Sequence, residues 1–137
     1  MYKDMTNEEL KQEQIKIIGF NPYNDKECLK AVKQNGARLI HIKEQSEELC
    51  SEAVKENGFS LLFVKEQTPD ICLAAVKRNG CALRFVKEQT EDICLAAVKR
   101  NGHALQYVKK QTREICLAAI KHNNLALQYV KDLNMIL

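Results

Sequence analysis

The sequence contains no apolar run that approaches the length of a membrane-spanning helix. Its N-terminus, MYKDMTNEELKQ, also has no apolar segment of the kind that a secretion signal carries. These two absences predict a chain without a membrane partner that works in the cytoplasm. Export by a non-classical route leaves no such mark in a sequence and stays open as an alternative.

A large excess of charge of one sign is absent too, because 21 Lys and Arg stand against 18 Asp and Glu, for a net charge of +3. Such a surface is mixed in sign, which argues weakly against a polyanion such as nucleic acid as the partner. Disorder is also disfavoured, since 45% of the residues are hydrophobic. That fraction is enough for a continuous core.

The motifs of common enzyme sites are missing as well. There is no phosphate-binding glycine loop, no nucleophile elbow, and no sign of a carboxylate pair in a non-repeating pocket. A strictly repeating surface seldom builds the single asymmetric site that catalysis needs. We therefore expect neither enzymatic activity nor a cofactor.

What the sequence does have is a period of 22 residues. Asparagine recurs at this spacing in one column and cysteine in another: Asn35, Asn57, Asn79, Asn101 and Asn123, and Cys28, Cys50, Cys72, Cys94 and Cys116. The columns define five units, 24–45, 46–67, 68–89, 90–111 and 112–137, after a leader over residues 1–23. Such self-similarity is typical of solenoids, in which each unit packs only on its neighbours.

Each unit predicts two short helices joined by a turn. In the third unit Thr68 is a good N-cap, ICLAAVKR follows as a helix, and Asn79 with Gly80 ends it. We expect Gly80 to supply a left-handed backbone conformation there. A second amphipathic helix is predicted over CALRFVKEQ, residues 81–89. The predicted fold class is all-α, an α-solenoid of five 22-residue helix-turn-helix (αα-hairpin) repeats whose first helices form the inner layer.

A right-handed coiled coil of uninterrupted helices is the alternative, because 22 residues equal two eleven-residue steps. The Asn-Gly pair argues against it. A glycine in mid-helix costs about 1 kcal/mol relative to alanine, it occurs in four units, and another N-cap residue soon follows it. The hairpin interpretation is therefore favoured.

The leader predicts an N-terminal capping helix. Thr6 and Glu9 have the spacing of a capping box, and Gly19 stops the helix that they open. Leu10, Ile17 and Ile18 form a narrow apolar stripe on this helix. We expect the stripe to cover the first unit while the polar face meets water.

The other end of the array lacks such a polar helix, since only DLNMIL, residues 132–137, follows the last unit. An uncapped solenoid presents an apolar end surface. This predicts a homo-oligomer formed through the C-terminal end. Fraying of the same end is the alternative interpretation.

Five of the six cysteines occupy one repeated position. Equivalent residues of stacked helices lie roughly 9 Å apart, beyond the limit of about 7 Å between Cα atoms that a disulfide bridges. We therefore expect free thiols that behave as small buried hydrophobes, which suits a reducing compartment.

The recurring line ICLAAVKRNGxALQYVKxQT resembles a family of short αα-repeat proteins, catalogued as a domain of unknown function in bacteria and in giant viruses of amoebae. The blocks Cys-Leu-Ala-Ala-Val-Lys, Asn-Gly and Ala-Leu-aromatic-Val-Lys carry the likeness over residues 24–131. The first unit departs from it with His41 at the aromatic position. The resemblance implies a helical repeat and brings no activity or binding residue with it.

Three columns vary between units while the framework around them stays fixed. They are the residue after the glycine position (Ala37, Phe59, Cys81, His103, Leu125), the residue three positions later (Ile40, Leu62, Arg84, Gln106, Gln128) and the residue before the asparagine (Gln34, Glu56, Arg78, Arg100, His122). We predict that these columns line one surface that binds another protein, which makes the chain an interaction module or scaffold. The alternative is that the first column seals a turn and the others are solvated helix faces.

Lysine forms two unbroken columns, Lys33, Lys55, Lys77, Lys99 and Lys121, and Lys43, Lys65, Lys87, Lys109 and Lys131. Regularly spaced lysines can bind phosphates, so nucleic acid is a second, less favoured partner. Lysine is also common in the last turn of any helix. Cys81 and His103 lie one unit apart in an otherwise apolar column, which does not predict a metal site.

Overall fold

The computed structural model describes residues 3–137, and every regular element in that range is helical. The α-helices are α1 (Asn7–Ile18), α2 (Asp25–Gln34), α3 (Glu47–Glu56), α4 (Pro69–Arg78), α5 (Glu91–Arg100) and α6 (Arg113–His122). α1 belongs to the leader, and each of the others opens one of the five predicted units. The all-helical repeat solenoid is therefore confirmed.

The first helix of each unit begins and ends where the sequence predicts. In α4 the Thr68 side chain accepts a hydrogen bond from the Ile71 N–H at 3.2 Å, and the other four units have the same cap. At the far end the Asn79 N–H donates to the Ala75 carbonyl at 2.9 Å. The asparagine then starts the next element, because in four units its side chain accepts from the N–H two residues on.

The second element of each unit is a 3₁₀ helix of six residues, and the longer α-helix predicted for it is wrong. These helices are η1 (Gly36–His41), η2 (Gly58–Phe63), η3 (Gly80–Phe85), η4 (Gly102–Tyr107) and η5 (Asn124–Tyr129), and a short η6 (Leu133–Met135) follows them. After η3 the backbone is extended at Val86, with φ −74° and ψ 119°. The helix ends there because the extended segment pairs with the neighbouring unit, as described below.

The solenoid has two layers with the core between them. The α-helices of adjacent units pack on one another, and the 3₁₀ helices do the same. Each α-helix from α3 to α6 also contacts the 3₁₀ helices of its own and the preceding unit, while α2 contacts η1. In the third unit Ala75 and Val76 of α4 and Leu83 of η3 are fully buried. The α layer is not fully enclosed, as the predicted inner layer would be, because Leu73 and Ala74 of α4 are only half-buried.

Gly80 does not adopt the left-handed conformation predicted for it, since Gly19 alone has a positive φ among residues 3–137. Close approach explains the glycine instead. A Cβ on Gly80 would lie 2.5 Å from the carbonyl oxygen of Ala97 in the next unit. The glycines of the first, second and fourth units meet the equivalent carbonyl. In the fifth unit Asn124 takes this place and is exposed.

The predicted capping box of α1 is present. The Glu9 N–H donates to Thr6 Oγ1 at 3.2 Å, and the Thr6 N–H donates to Glu9 Oε2 at 2.8 Å, which lowers the pKa of the Glu9 carboxyl. Gly19 ends the helix with φ 85°, as expected of a left-handed C-cap.

The apolar stripe of α1 covers the first unit only in part. Ile18 is half-buried and packs against the core. No residue of the helix is buried, and Leu10 and Ile17 are 38% and 74% exposed. Phe20, just after the helix, enters the core instead and packs edge-on against His41, with ring centroids 6.4 Å apart. Phe20 can cover the end of the core because an aromatic side chain buries a large apolar surface, whereas the stripe of α1 is narrow.

A glutamine ties each unit to the next. Gln67 Nε2 donates to the Phe85 carbonyl at 2.8 Å, and its Oε1 accepts from the Lys87 N–H at 3.0 Å. The Cys72 thiol donates to the same Oε1 at 3.5 Å. We call this arrangement the glutamine clamp, and it recurs at Gln45, Gln89 and Gln111. It pairs the backbone groups of the extended segment that no helix satisfies.

All six cysteines are free, and the five of the repeated column are buried. Burial raises the pKa of the Cys72 thiol, and the equivalent thiols are shifted in the same direction. The thiols therefore keep their protons near neutral pH and can donate to the clamp. None of the helices within residues 3–137 has the length and apolar composition that crossing a membrane requires.

Candidate protein-binding surface

Two of the three variable columns lie on one side of the 3₁₀ helices. Residues three apart eclipse in a 3₁₀ helix, so Phe59 and Leu62 project together from η2, as do the equivalent pairs of the other units. Adjacent 3₁₀ helices pack side by side, which joins the pairs into a strip. We call this strip the 3₁₀ face, and its residues are Ala37, Ile40, Phe59, Leu62, Cys81, Arg84, His103, Gln106, Leu125 and Gln128.

The 3₁₀ face is apolar and exposed over the first two units. Ile40 is 60% exposed, Leu62 56% and Phe59 40%. Ile40 and Leu62 occupy the same position in adjacent 3₁₀ helices that pack on each other. Grouped apolar side chains of this kind are typical of protein-binding sites, whereas single exposed ones need no explanation.

Arg84 borders this apolar part and stacks on aromatic rings. Its guanidinium carbon lies 5.1 Å from the centroid of the Phe85 ring and 5.6 Å from that of Tyr107. Phe85 in turn packs edge-on against Phe59, with centroids 6.4 Å apart. Within the described range 3–137 Arg84 has no salt bridge and no side-chain hydrogen bond. A guanidinium fixed in this way keeps its N–H donors free for a carboxylate.

Cys81 and His103 contact the asparagine of the next unit. Asn101 Nδ2 lies 3.5 Å from Cys81 Sγ, and Asn123 Nδ2 lies 3.2 Å from His103 Nε2. The His103 ring also packs edge-on against Tyr129 at 5.9 Å. At these two positions the side chain after the glycine thus helps to seal the turn against the next unit.

In its last two units the 3₁₀ face carries two glutamines and one large apolar side chain. Gln106 and Gln128 are exposed, and each Nε2 donates at 3.0 Å to a carbonyl three residues earlier. Leu125 is 64% exposed. The strip is therefore apolar over the first two units, polar at Gln106 and Gln128, and apolar again at Leu125.

The third variable column lies at the C-terminal ends of the α-helices. Arg78 Nε donates to the Lys55 carbonyl of the preceding unit at 3.1 Å, and Arg100 makes the equivalent bond at 3.0 Å. His122 Nδ1 accepts from the Gly102 N–H at 3.1 Å. These side chains therefore hold neighbouring units together, and we do not include them in the 3₁₀ face.

The lysine columns are exposed throughout. One follows the ends of the α-helices and the other follows the 3₁₀ helices. Lys65 Nζ donates to the Lys43 carbonyl at 2.9 Å, and Lys55 Nζ lies 3.9 Å from a Glu52 carboxylate oxygen. Some of these ammonium groups thus have partners within the chain.

The half-exposed thiol of Cys81 is not an activated nucleophile. Burial raises its pKa, although the nearby Arg84 charge opposes the shift, whereas reactive thiols have a lowered pKa. Among the residues that the structure describes, no group of three or more His, Cys, Asp or Glu side chains converges as metal ligands would.

The sequence analysis missed the glutamine clamp and the ring stack at Arg84. The signal for the clamp was present, since one glutamine recurs just before the N-cap residue of the next unit in four junctions. Its partners lie 18 and 20 residues further along the chain. Local helix signals do not show a contact of that range.

Comparison with known families gives one match. The profile of the domain of unknown function DUF4116 matches residues 46–90 and again residues 90–133. The two matches cover more than half of the chain, which therefore belongs to this family. Each match spans two of the 22-residue units. No curated protein and no solved structure matches the chain.

Proposed function

We propose that this member of the DUF4116 family is a protein-binding module without enzymatic activity, and that it contacts its partner through the 3₁₀ face. The observation that carries the proposal is the exposed apolar group of Ile40, Phe59 and Leu62 beside the ring-stacked Arg84. Aromatic and arginine side chains, such as Phe59 and Arg84, are enriched in protein interfaces relative to the rest of the surface.

The way in which the units join supports this assignment. The glutamine clamp binds backbone groups, and the glycine meets a backbone carbonyl. Arg84 also contacts the ring of Tyr107 in the next unit, but the stacking of units does not depend on the identity of Ile40 or Leu62. Such positions are free to vary and to provide specificity on a fixed scaffold.

A capture experiment with paired variants tests the proposal. The immobilised chain is incubated with cell lysate, with and without nuclease, at low and high salt. We expect a protein to be retained under all four conditions, and Leu62→Lys to reduce its recovery at least about ten-fold, since one lost anchor removes on the order of 1–3 kcal/mol. Leu117→Lys is the matched control, because Leu117 is 40% exposed on α6 in the other layer. Equal recovery with both variants contradicts the proposal.

Nucleic acid is the second candidate partner, and the exposed lysine columns are the observation in its favour. Binding through phosphate contacts falls steeply with salt. In the same experiment, nuclease-sensitive and salt-sensitive recovery that is lost on charge reversal at Lys77, Lys99 and Lys121 supports this candidate and contradicts the first.

Self-association by continuing the solenoid is less favoured, because two residues of the fifth unit oppose it. Asn124 carries a Cβ where the other units place glycine against the next carbonyl. Leu133 stands 22 residues after Gln111 and has no carboxamide for a clamp. A further copy docked in the same geometry would meet a steric clash and would leave its extended segment unpaired.

A further inference from the structure

The first junction of the solenoid has no glutamine clamp. Tyr23 lies 22 residues before Gln45, so it occupies the position of the clamp residue. Its hydroxyl donates to Gln14 Oε1 at 2.8 Å, and its ring lies under Lys11 Nζ at 5.0 Å. The Tyr23 side chain is thus bonded to the leader helix and does not reach the backbone that a clamp would bind.

The backbone groups that a clamp would bind are consequently unpaired. Gln45 bonds the Phe63 carbonyl at 2.9 Å and the Lys65 N–H at 3.0 Å. The equivalent groups of the first unit are the His41 carbonyl and the Lys43 N–H. Within residues 3–137 neither group has a hydrogen-bond partner. A donor and an acceptor therefore flank an extended residue, Ile42 (φ −104°, ψ 114°), as they flank the extended Val64 in the clamp of Gln45.

The space beside Lys43 is also open. A groove of about 560 Å³ runs between the leader turn and the first two units, lined by Tyr23, Cys28, Leu29, Lys43 and Leu49 among others. The corresponding groove at the next junction, where Gln45 lies, has about 290 Å³. Because this junction has no clamp carboxamide, the Cys28 thiol donates instead to the Asn21 carbonyl at 3.7 Å.

We propose that this groove, the open junction, binds a glutamine side chain presented by an extended segment of another protein. The incoming Nε2 donates to the His41 carbonyl, and the incoming Oε1 accepts from the Lys43 N–H. The apolar wall at Leu29 and Leu49 covers the aliphatic part of the ligand. The four clamps of the chain are the template for this recognition.

A second copy of the chain is not the occupant. Its four clamp glutamines are already bonded within their own junctions. Its other five glutamines lie in helices and not in extended segments. At the free position of its fifth unit it carries Leu133, whose side chain has neither the donor nor the acceptor. The proposal concerns a different part of the molecule from the 3₁₀ face and does not depend on the function proposed above.

The test uses a peptide that copies the junction of the chain itself, acetyl-Val-Lys-Glu-Gln-Thr-amide, the sequence of residues 64–68. Binding to the full chain is followed through the Lys43 amide resonance in an NMR titration. We expect a saturable shift of this resonance. The matched peptide with glutamate in place of glutamine loses the Nε2 donor, so we expect binding at least about ten-fold weaker, the equivalent of 1.4 kcal/mol.

Two variants of the chain complete the test. Tyr23→Gln supplies the missing clamp from within, so we expect it to abolish peptide binding and to raise the melting temperature. Tyr23→Ala removes the same contacts with the leader but supplies no carboxamide, and we expect it to keep peptide binding. The proposal is overturned by the absence of a saturable Lys43 shift, by equal binding of the two peptides, or by undiminished binding to Tyr23→Gln.

Discussion

Gly80 faces the carbonyl oxygen of Ala97 so closely that a Cβ on the glycine would lie 2.5 Å from it. The glycine is thus required by the distance between units and not by the turn in which it stands. Asn124 takes the same place in the fifth unit, where it is exposed. Positions 80 and 124 therefore allow the effect of a Cβ to be compared at a close contact and at an exposed site of the same chain.

The first prediction concerns this contact. Gly80→Ala should destabilise the chain by about 1–3 kcal/mol, because the added methyl group pushes two units apart. Asn124→Ala should change the free energy of unfolding by less than about 0.5 kcal/mol, since the site is exposed. Urea unfolding followed by circular dichroism measures both. A similar loss in the two variants would show that the glycine has only a local role.

A second prediction concerns the glutamine clamp. Gln67→Leu should destabilise the chain by about 2–4 kcal/mol, because it leaves the Phe85 carbonyl and the Lys87 N–H without partners. Hydrogen exchange at the Lys87 amide should become faster by the factor that corresponds to this loss of free energy. Gln106→Leu is the control, since that side chain bonds only within its own 3₁₀ helix. If Lys87 exchange is unchanged in Gln67→Leu, the clamp contributes nothing to the junction.

Local signals were sufficient to predict the first helices. Thr68 and Asn79 act through hydrogen bonds to residues at most four positions away, which a sequence pattern records directly. The second helix was predicted too long because its apolar spacing also fits an α-helix. Its early end depends on Gln67, which needs the residues after Phe85 in an extended conformation.

The third prediction is a stabilising substitution. Ser60 is 1% exposed, and its hydroxyl has no hydrogen-bond partner in the described chain. Alanine occupies the equivalent positions 82, 104 and 126. Ser60→Ala should therefore raise the free energy of unfolding by about 1 kcal/mol. A lower melting temperature for this variant would mean that the hydroxyl is paired in solution.

A fourth prediction concerns alkaline pH. Burial raises the pKa of the column cysteines above that of an unfolded thiol, which is about 8.5. The folded chain then binds more protons than the unfolded chain above this pH, so stability is full below it and falls as the pH rises. The melting temperature should drop between about pH 7.5 and about pH 9.5.

The double variant Cys72→Ala with Cys94→Ala is the comparison for this prediction. It removes two of the shifted thiols, so its melting temperature should fall less steeply with pH. An equal slope in the variant and the parent chain would assign the pH dependence to other groups.

The candidate surface was only partly predictable from the sequence. Variation between units located Phe59, Leu62 and Arg84, and 3₁₀ geometry explains why the first two project together. The same criterion also selected Arg78 and His122, which bond the backbone of neighbouring units. A position can vary because its side chain faces a partner protein. It can also vary because each unit bonds to its neighbour with a different side chain, and the sequence does not distinguish the two cases.

The most direct test of the proposed function is site-specific photocrosslinking in cells. A photoreactive amino acid is placed at Leu62 on the 3₁₀ face or at Leu117 on the α layer, two leucines of comparable exposure. We predict a discrete crosslinked product with one protein from position 62 and none from position 117. Products of equal yield from both positions, or a product from position 117 alone, would contradict the assignment of the 3₁₀ face as the binding surface.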